Sequence, residues 1–212
     1  MSAASLPLKW IRLPLYMATV GLSAVMIAVG ANSVKGIHHL EETLSQLSAQ
    51  EGVALDFDMT DIESLSILLI VIGILMAFTG LFAALILIND WIRTFRVRPQ
   101  TKYPFTPRST RTLLAQTYIL AFMSVWAMSV LIPTTVFART RNAMVHVQGD
   151  PNAPVAHTDA RYWDYGFLRC LAAAPWFTFI FSVPATIATA CAYWLHKSSN
   201  HVSGVQEQKA DF

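Results

Sequence analysis

Four long stretches without a single charged side chain are the feature that most restricts the fold of this chain. They cover residues 13–34, 64–89, 112–138 and 170–195, and each is free of Asp, Glu, Lys and Arg. Each is long enough to cross the hydrocarbon core of a bilayer, which takes roughly 20 apolar residues. Only 13% of the residues are charged, against roughly a quarter in a soluble domain. The sequence therefore predicts an all-α integral membrane protein, with four transmembrane helices in a single four-helix membrane domain.

The first apolar segment, residues 13–34, could also be a cleaved signal peptide. Lys9 and Arg12 form a basic region before it, and the small residues 29–31 fit a cleavage site. However, the segment is longer than the apolar region of a signal peptide, which spans roughly 7–15 residues. Pro14 is placed like the first residue of a helix, where proline is favoured. We therefore expect this segment to be retained as a transmembrane helix.

The charges between the apolar segments are distributed unevenly, and this predicts the orientation of the chain. Loop 35–63 carries one Lys against seven acidic residues, and loop 139–169 carries four Arg against three Asp. The N-terminus and loop 90–111 together contain eight Lys or Arg, against five in the other two loops. Because Lys and Arg concentrate in cytosolic loops, we expect the N-terminus, loop 90–111 and tail 196–212 in the cytosol, and the other two loops outside.

The basic loop 90–111 is predicted to lie against lipid headgroups. It is short and tethered at both ends, which leaves little room to bind nucleic acid. Its aromatic residues are typical of membrane interfaces, and anionic headgroups attract each nearby Lys or Arg by about 1 kcal/mol. Prolines at positions 99, 104 and 107 prevent one continuous helix. The side chains expected to contact headgroups are Arg93, Arg96, Arg98, Lys102, Arg108 and Arg111.

The beginning of loop 35–63 has the periodicity of an amphipathic helix. Apolar residues recur at positions 37, 40, 44 and 47, so the segment either continues the first helix outward or lies flat on the membrane. His38 and Glu42 are one helical turn apart and could approach each other. Zinc usually takes three or four protein ligands, and no further ligand follows at a suitable spacing. We therefore expect a solvated helix face here and no metal site.

Chemistry inside a bilayer usually depends on ionisable side chains within the helices. The four apolar segments have no Asp, Glu, Lys or Arg, and their strongest polar group is Gln116, near the end of its segment. Residues 162–164 could form the lip of a lipid-processing site, but no nucleophile–base pair accompanies them. The sequence therefore predicts a protein that is not an enzyme and that binds no cofactor.

Small residues recur every three or four positions along three of the four segments. Such stripes let helix backbones approach each other closely. They fit packing within one chain and lateral assembly with other subunits, so both interpretations stay open. The positions expected at helix contacts are Gly21, Ala24, Ala28, Gly73, Ala77, Gly80, Ala185, Ala188 and Ala192.

Four helices, cytosolic termini and two unequal outer loops resemble the tetraspan class, in the manner of small fungal MARVEL-like membrane proteins. The resemblance is one of topology and extends over the whole chain. The cysteine motifs of claudin-like proteins, tetraspanins and connexin-type channels are absent, since Cys170 and Cys191 both lie in the last segment. The resemblance implies a multi-pass protein of the plasma membrane or of an endomembrane, and it transfers no site residues.

The leading functional hypothesis is a non-enzymatic scaffold that organises membrane or partner proteins by lateral helix packing. Its expected partners are membrane lipids and either another membrane protein or a second copy of the chain. The alternative is a subunit of an oligomeric large-pore channel, or an accessory subunit of a membrane complex. A pore that is wide or gated by a hydrophobic constriction needs no charge within the membrane.

Overall fold

The computed structural model describes residues 8–50, 55–96, 111–147 and 156–210. Four long helices dominate it, and three short strands and one turn of 3-10 helix lie between them. The helices are α1 (Lys9–Gln50), α2 (Thr60–Arg96), α3 (Leu113–Thr140) and α4 (Gly166–Ala210). The strands are β1 (Leu55–Asp58), β2 (Asn142–Val147) and β3 (Ala156–Arg161), and the 3-10 turn spans Tyr162–Asp164.

All four helices are long and apolar enough to cross a membrane. The qualifying spans are Lys9–Gln46, Thr60–Arg93, Leu113–Thr140 and Gly166–Ser198. Large apolar side chains cover their outer surfaces: Phe78 is 68% exposed and Val125 70% exposed. A water-soluble protein rarely leaves such extensive apolar surface uncovered. The prediction of a multi-pass protein with four membrane spans is therefore confirmed.

Each helix is longer than the charge-free segment that predicted it. The first helix begins at Lys9, so Pro14 lies inside it rather than at its first position, and that part of the prediction was wrong. At its other end, α1 continues without a break through the amphipathic segment to Gln50. Charged residues therefore lie within α1, α2 and α4 at both ends of the apolar stretch, and within α3 at its C-terminal end.

The three strands form a small antiparallel sheet with the order β1–β2–β3. Leu55 pairs with Val147 and Asp58 with Met144, which joins the segment before α2 to the segment after α3. Between β2 and β3 the register shifts after the pairing of Asn142 with Arg161. The sequence predicts loops in both places, so this sheet was not predicted.

The helices contribute to two compact units, each of which contains one segment of every helix. The first unit comprises residues 1–21, 76–124 and 180–212, and the second comprises residues 22–75 and 125–179. The core of the first unit brings together side chains from all four helices: Tyr16, Ala83, Ala84, Leu87, Leu120 and Ala185. Alanine is frequent in this core because small side chains let the helix backbones approach closely.

In the second unit, two glycines mark close contacts between α1 and α2. A Cβ atom added at Gly30 would lie 2.6 Å from Ile70 Cγ1 and 3.3 Å from the Ser66 carbonyl oxygen. A Cβ atom added at Gly73 would lie 2.9 Å from Ile27 Cγ1. Any larger residue at these positions would push the two helices apart.

Candidate functional site

A buried polar cluster lies in the first unit, at the start of α1. Arg12, Tyr16 and Thr189 are fully buried, and Gln116 is 7% exposed. Arg12 Nη2 donates to the Tyr16 hydroxyl oxygen over 3.1 Å and to Gln116 Oε1 over 3.1 Å. The Tyr16 and Thr189 hydroxyl oxygens lie 2.7 Å apart. One guanidinium thus connects α1 with α3 directly, and with α4 through Tyr16.

The Thr189 and Gln116 side chains also bond to their own helices. The Thr189 hydroxyl donates to the Ala185 carbonyl oxygen over 2.7 Å, one turn earlier in α4. The Gln116 amide donates over 2.9 Å to the hydroxyl of Thr112, one turn earlier in the chain. Arginine and amide donors therefore fill the acceptors of the cluster. These contacts fix the side chains of Arg12, Tyr16 and Gln116 relative to one another.

Two buried ionisable residues were missed by the sequence analysis because each lies one position outside a charge-free segment. Arg12 precedes residue 13 and Asp90 follows residue 89, yet both are fully buried within their helices. The expectation that these helices contain no ionisable side chain was therefore wrong at their ends. The spacing of Arg12 and Tyr16, one helical turn apart, was the available signal that a guanidinium could be retained there.

A second polar cluster, in the other unit, centres on Asp61 in the first turn of α2. Its carboxylate accepts hydrogen bonds from Arg141 Nη1 over 2.8 Å and from the Tyr162 hydroxyl over 3.1 Å. The backbone N–H of Ile62 also donates to it over 2.8 Å. The Tyr162 backbone N–H donates in turn to the Arg141 carbonyl oxygen. Asp61 therefore ties both ends of the segment between α3 and α4 to the beginning of α2.

His38 pairs with Glu63 rather than with Glu42. The distance from His38 Nε2 to Glu63 Oε1 is 3.2 Å, and the contact joins α1 to the first turn of α2. Within the part of the chain that the structure describes, no group of three or more His, Cys, Asp or Glu side chains could hold a metal ion.

The cations expected at lipid headgroups fall partly within the described residues. Arg93 and Arg111 are exposed, at the end of α2 and just before α3. Arg96 is the last residue of α2. The remaining three, Arg98, Lys102 and Arg108, lie outside the described residues.

The small-residue positions separate into two groups. On α2 and α4 they face the interior: Gly73, Gly80, Ala185, Ala188 and Ala192 are buried, and Ala77 is half-buried. On α1 they face outward: Gly21, Ala24 and Ala28 are exposed. A Cβ atom added at Gly21 would meet nothing within 4 Å. Packing within the chain therefore accounts for the positions on α2 and α4, whereas lateral assembly through α1 stays a prediction.

Beside the exposed alanines of α1 lies an open, mainly apolar groove of about 480 Å³. Its walls come from α1 and from the beginning of α4, within the second unit. We call it the α1–α4 groove, and its lining residues are Val25, Ala28, Val29, Asn32, Gly166, Phe167 and Cys170. Asn32 contributes an exposed amide near the end of the charge-free segment 13–34.

The chain matches no protein-family model, no curated protein and no solved structure. The resemblance to MARVEL-like proteins therefore stays a prediction from topology, and function has to be inferred from the geometry of the chain itself.

Proposed function

We propose that this protein is a non-enzymatic, multi-pass membrane scaffold that binds a partner membrane protein laterally through α1. The observation that carries the proposal is the exposed small-residue face of α1, which consists of Ala24, Ala28 and Ala31. This face lies beside the α1–α4 groove. The proposal agrees with the topological resemblance to small tetraspan MARVEL-like proteins.

The exposed face has the chemistry of a helix-packing surface. In a bilayer there is no hydrophobic drive between helices, so association depends on close van der Waals contact and on hydrogen bonds between helices. Ala24, Ala28 and Ala31 allow such contact, because their side chains are small. The Asn32 amide can donate and accept hydrogen bonds, which are worth about 1 kcal/mol between membrane helices. These features favour a protein helix over an acyl chain as the occupant of the groove.

The buried clusters support a scaffold for a separate reason. The hydrogen bonds of Arg12, Tyr16 and Gln116 are made within the chain, on the inner sides of the helices. Asp61, Arg141 and Tyr162 are likewise bonded to one another. Groups that are fixed in this way hold helices and connecting segments in place, and they present no nucleophile with its base.

The proposal is tested by the mass of the assembly that the native membrane contains. The protein is extracted directly into lipid discs, and the mass and the composition of the particle are measured. We expect a defined protein complex for the wild type and loss of the partner for Ala28→Leu, because the larger side chain obstructs the α1–α4 groove that Ala28 lines. Ala115→Leu, at an exposed position of α3, provides a matched substitution in another helix.

A lone protomer surrounded only by lipid would contradict the proposal. A closed ring of identical subunits that conducts ions in pure lipid bilayers would also contradict it, since that result would favour the large-pore channel. A complex that survives Ala28→Leu would place the binding surface elsewhere on the chain.

A further inference from the structure

Two exposed arginines lie close to one tryptophan where α3 ends and α4 begins. The guanidinium carbon of Arg139 is 5.2 Å from the centroid of the Trp163 ring. The guanidinium carbon of Arg169 is 6.0 Å from the same centroid. We call these three residues the arginine–tryptophan site, and all of them belong to the second unit.

We propose that the arginine–tryptophan site binds the phosphate group of a phospholipid headgroup. Arg139 lies in the last turn of the α3 span and Arg169 near the beginning of the α4 span. The ends of membrane spans lie at the depth of the headgroups, where tryptophan is enriched. A lipid phosphate is the anion present at that depth in every phospholipid.

The donors of Arg139 remain available for such a ligand. Stacking on an indole uses the flat face of a guanidinium and leaves its N–H groups at the edge, where they match a phosphate in bidentate geometry. Among the residues that the structure describes, Arg139 forms no hydrogen bond or ion pair. The Arg139 guanidinium thus lies over the Trp163 ring and has no hydrogen-bond partner among the described residues.

Arg169 is held in place by the backbone. It donates through Nε to the Trp163 carbonyl oxygen and through Nη2 to that of Asp164, the latter over 3.4 Å. Two bonds to neutral carbonyls orient the guanidinium without neutralising it. An arginine fixed in advance loses less conformational entropy when a ligand binds.

Among the described residues, neither of the two positive charges forms an ion pair. Asp164 is the acidic residue nearest to Arg169 in the sequence, and its carboxylate pairs with neither arginine. Arg169 also lies in the first turn of α4, which contains no acidic residue. A helix dipole is positive at that end and disfavours a cation there. A bound phosphate would compensate the two positive charges and would offset the unfavourable interaction of Arg169 with the dipole of α4.

Arg141 and Arg161 show why the site is limited to two arginines. Arg141 belongs to the same loop, but Asp61 neutralises it at 2.8 Å. Arg161, at the end of β3, is exposed and makes no ring contact in the described structure. Arg161 therefore offers a matched control: the same loop and the same charge, without the tryptophan.

The test is binding of dioctanoyl phosphatidylglycerol to the full chain in a neutral detergent, followed by native mass spectrometry. We expect saturable binding of one lipid, weakened about tenfold by Arg139→Gln and by Arg169→Gln, as for the loss of one charge-assisted hydrogen bond. Arg161→Gln should change the affinity by less than about twofold, as expected for an exposed charge. Arg139→Lys, which keeps the charge and loses the planar fork, should fall between Arg139→Gln and wild type.

Glycerol phosphate and dioctanoylglycerol separate the possible sources of binding. We expect neither the soluble phosphate nor the lipid without phosphate to compete. If glycerol phosphate binds as tightly as the lipid, the site is one for soluble anions and the proposal fails. It also fails if Arg161→Gln weakens binding as much as Arg139→Gln, because binding would then reflect only the net charge of the loop.

Discussion

Tyr16 and Thr189 are 173 residues apart in the chain, and their hydroxyl oxygens lie within 2.7 Å of each other. The contact joins the first helix to the last in a fully buried setting. Because a buried hydroxyl without a partner costs about 1–3 kcal/mol, each of these residues depends on the other. Tyr16 also accepts two hydrogen bonds from Arg12, so it connects a buried cation to the core of the first unit.

Replacing Tyr16 with Phe should destabilise the protein. The substitution removes the acceptor of two Arg12 donors and the hydrogen bond with Thr189, at a cost of about 1–3 kcal/mol. Thermal unfolding in detergent should show a clearly lower midpoint. Tyr118→Phe is the matched control, because Tyr118 is 68% exposed and should tolerate the change. Equal midpoints for the two variants would exclude a stabilising role for the cluster.

Two glycines of α1 should respond in opposite ways to the same substitution. Gly21→Ala should be neutral or stabilising, since nothing lies near the new Cβ and alanine favours a helix by about 1 kcal/mol over glycine. Gly30→Ala should destabilise, because the new Cβ would lie 2.6 Å from Ile70 Cγ1. Thermal midpoints of the two variants provide the comparison. A destabilised Gly21→Ala beside an unaffected Gly30→Ala would contradict this description of the α1–α2 contact.

The ion pair between Asp61 and Arg141 should make a small, measurable contribution to stability. Both side chains are partly exposed, so we expect a coupling of about 0.2–1 kcal/mol rather than the larger value of a buried pair. A double-mutant cycle with Asp61→Ala and Arg141→Ala measures this coupling directly. It should decrease as the salt concentration rises. A coupling of zero at low salt would show that the 2.8 Å contact has no energetic role.

The proposed orientation places Ser45 outside and Ser109 in the cytosol. In a background without Cys170 and Cys191, a membrane-impermeant maleimide should label Ser45→Cys in intact cells. It should label Ser109→Cys only after the membrane is permeabilised. The reverse pattern would invert the topology and would remove the basis for headgroup contacts on the cytosolic side of loop 90–111.

The number and the type of the membrane spans could be predicted from the sequence, because an uninterrupted run of about 20 apolar residues is typical of a transmembrane helix. The ends of the helices could not be predicted. A search for charge-free segments stops at the first charged residue. In contrast, α1 includes Arg12, because Tyr16 and Gln116 accept hydrogen bonds from the Arg12 guanidinium. Asp90 was missed because the search also stopped there, although Asp90 is buried one residue beyond segment 64–89.

The small sheet was missed for a different physical reason. Its strands have few residues, and β1 pairs with β2 across more than eighty residues of sequence. Local periodicity contains no information about such distant pairing. The small residues of the helices, by contrast, could be identified in the sequence, but their burial could not. Only the three-dimensional contacts distinguish Gly21 of α1, which is exposed, from Gly73 of α2, which is buried.

Site-specific photo-crosslinking in the native membrane tests the scaffold proposal most directly. A photoreactive amino acid replaces Ala28 on the exposed face of α1 or, as a control, Val125, which is 70% exposed on α3. If α1 binds a partner laterally, position 28 should yield one discrete protein adduct, and position 125 should react mainly with lipid. Lipid adducts alone at position 28, or the same protein adducts at both positions, would contradict lateral binding through α1.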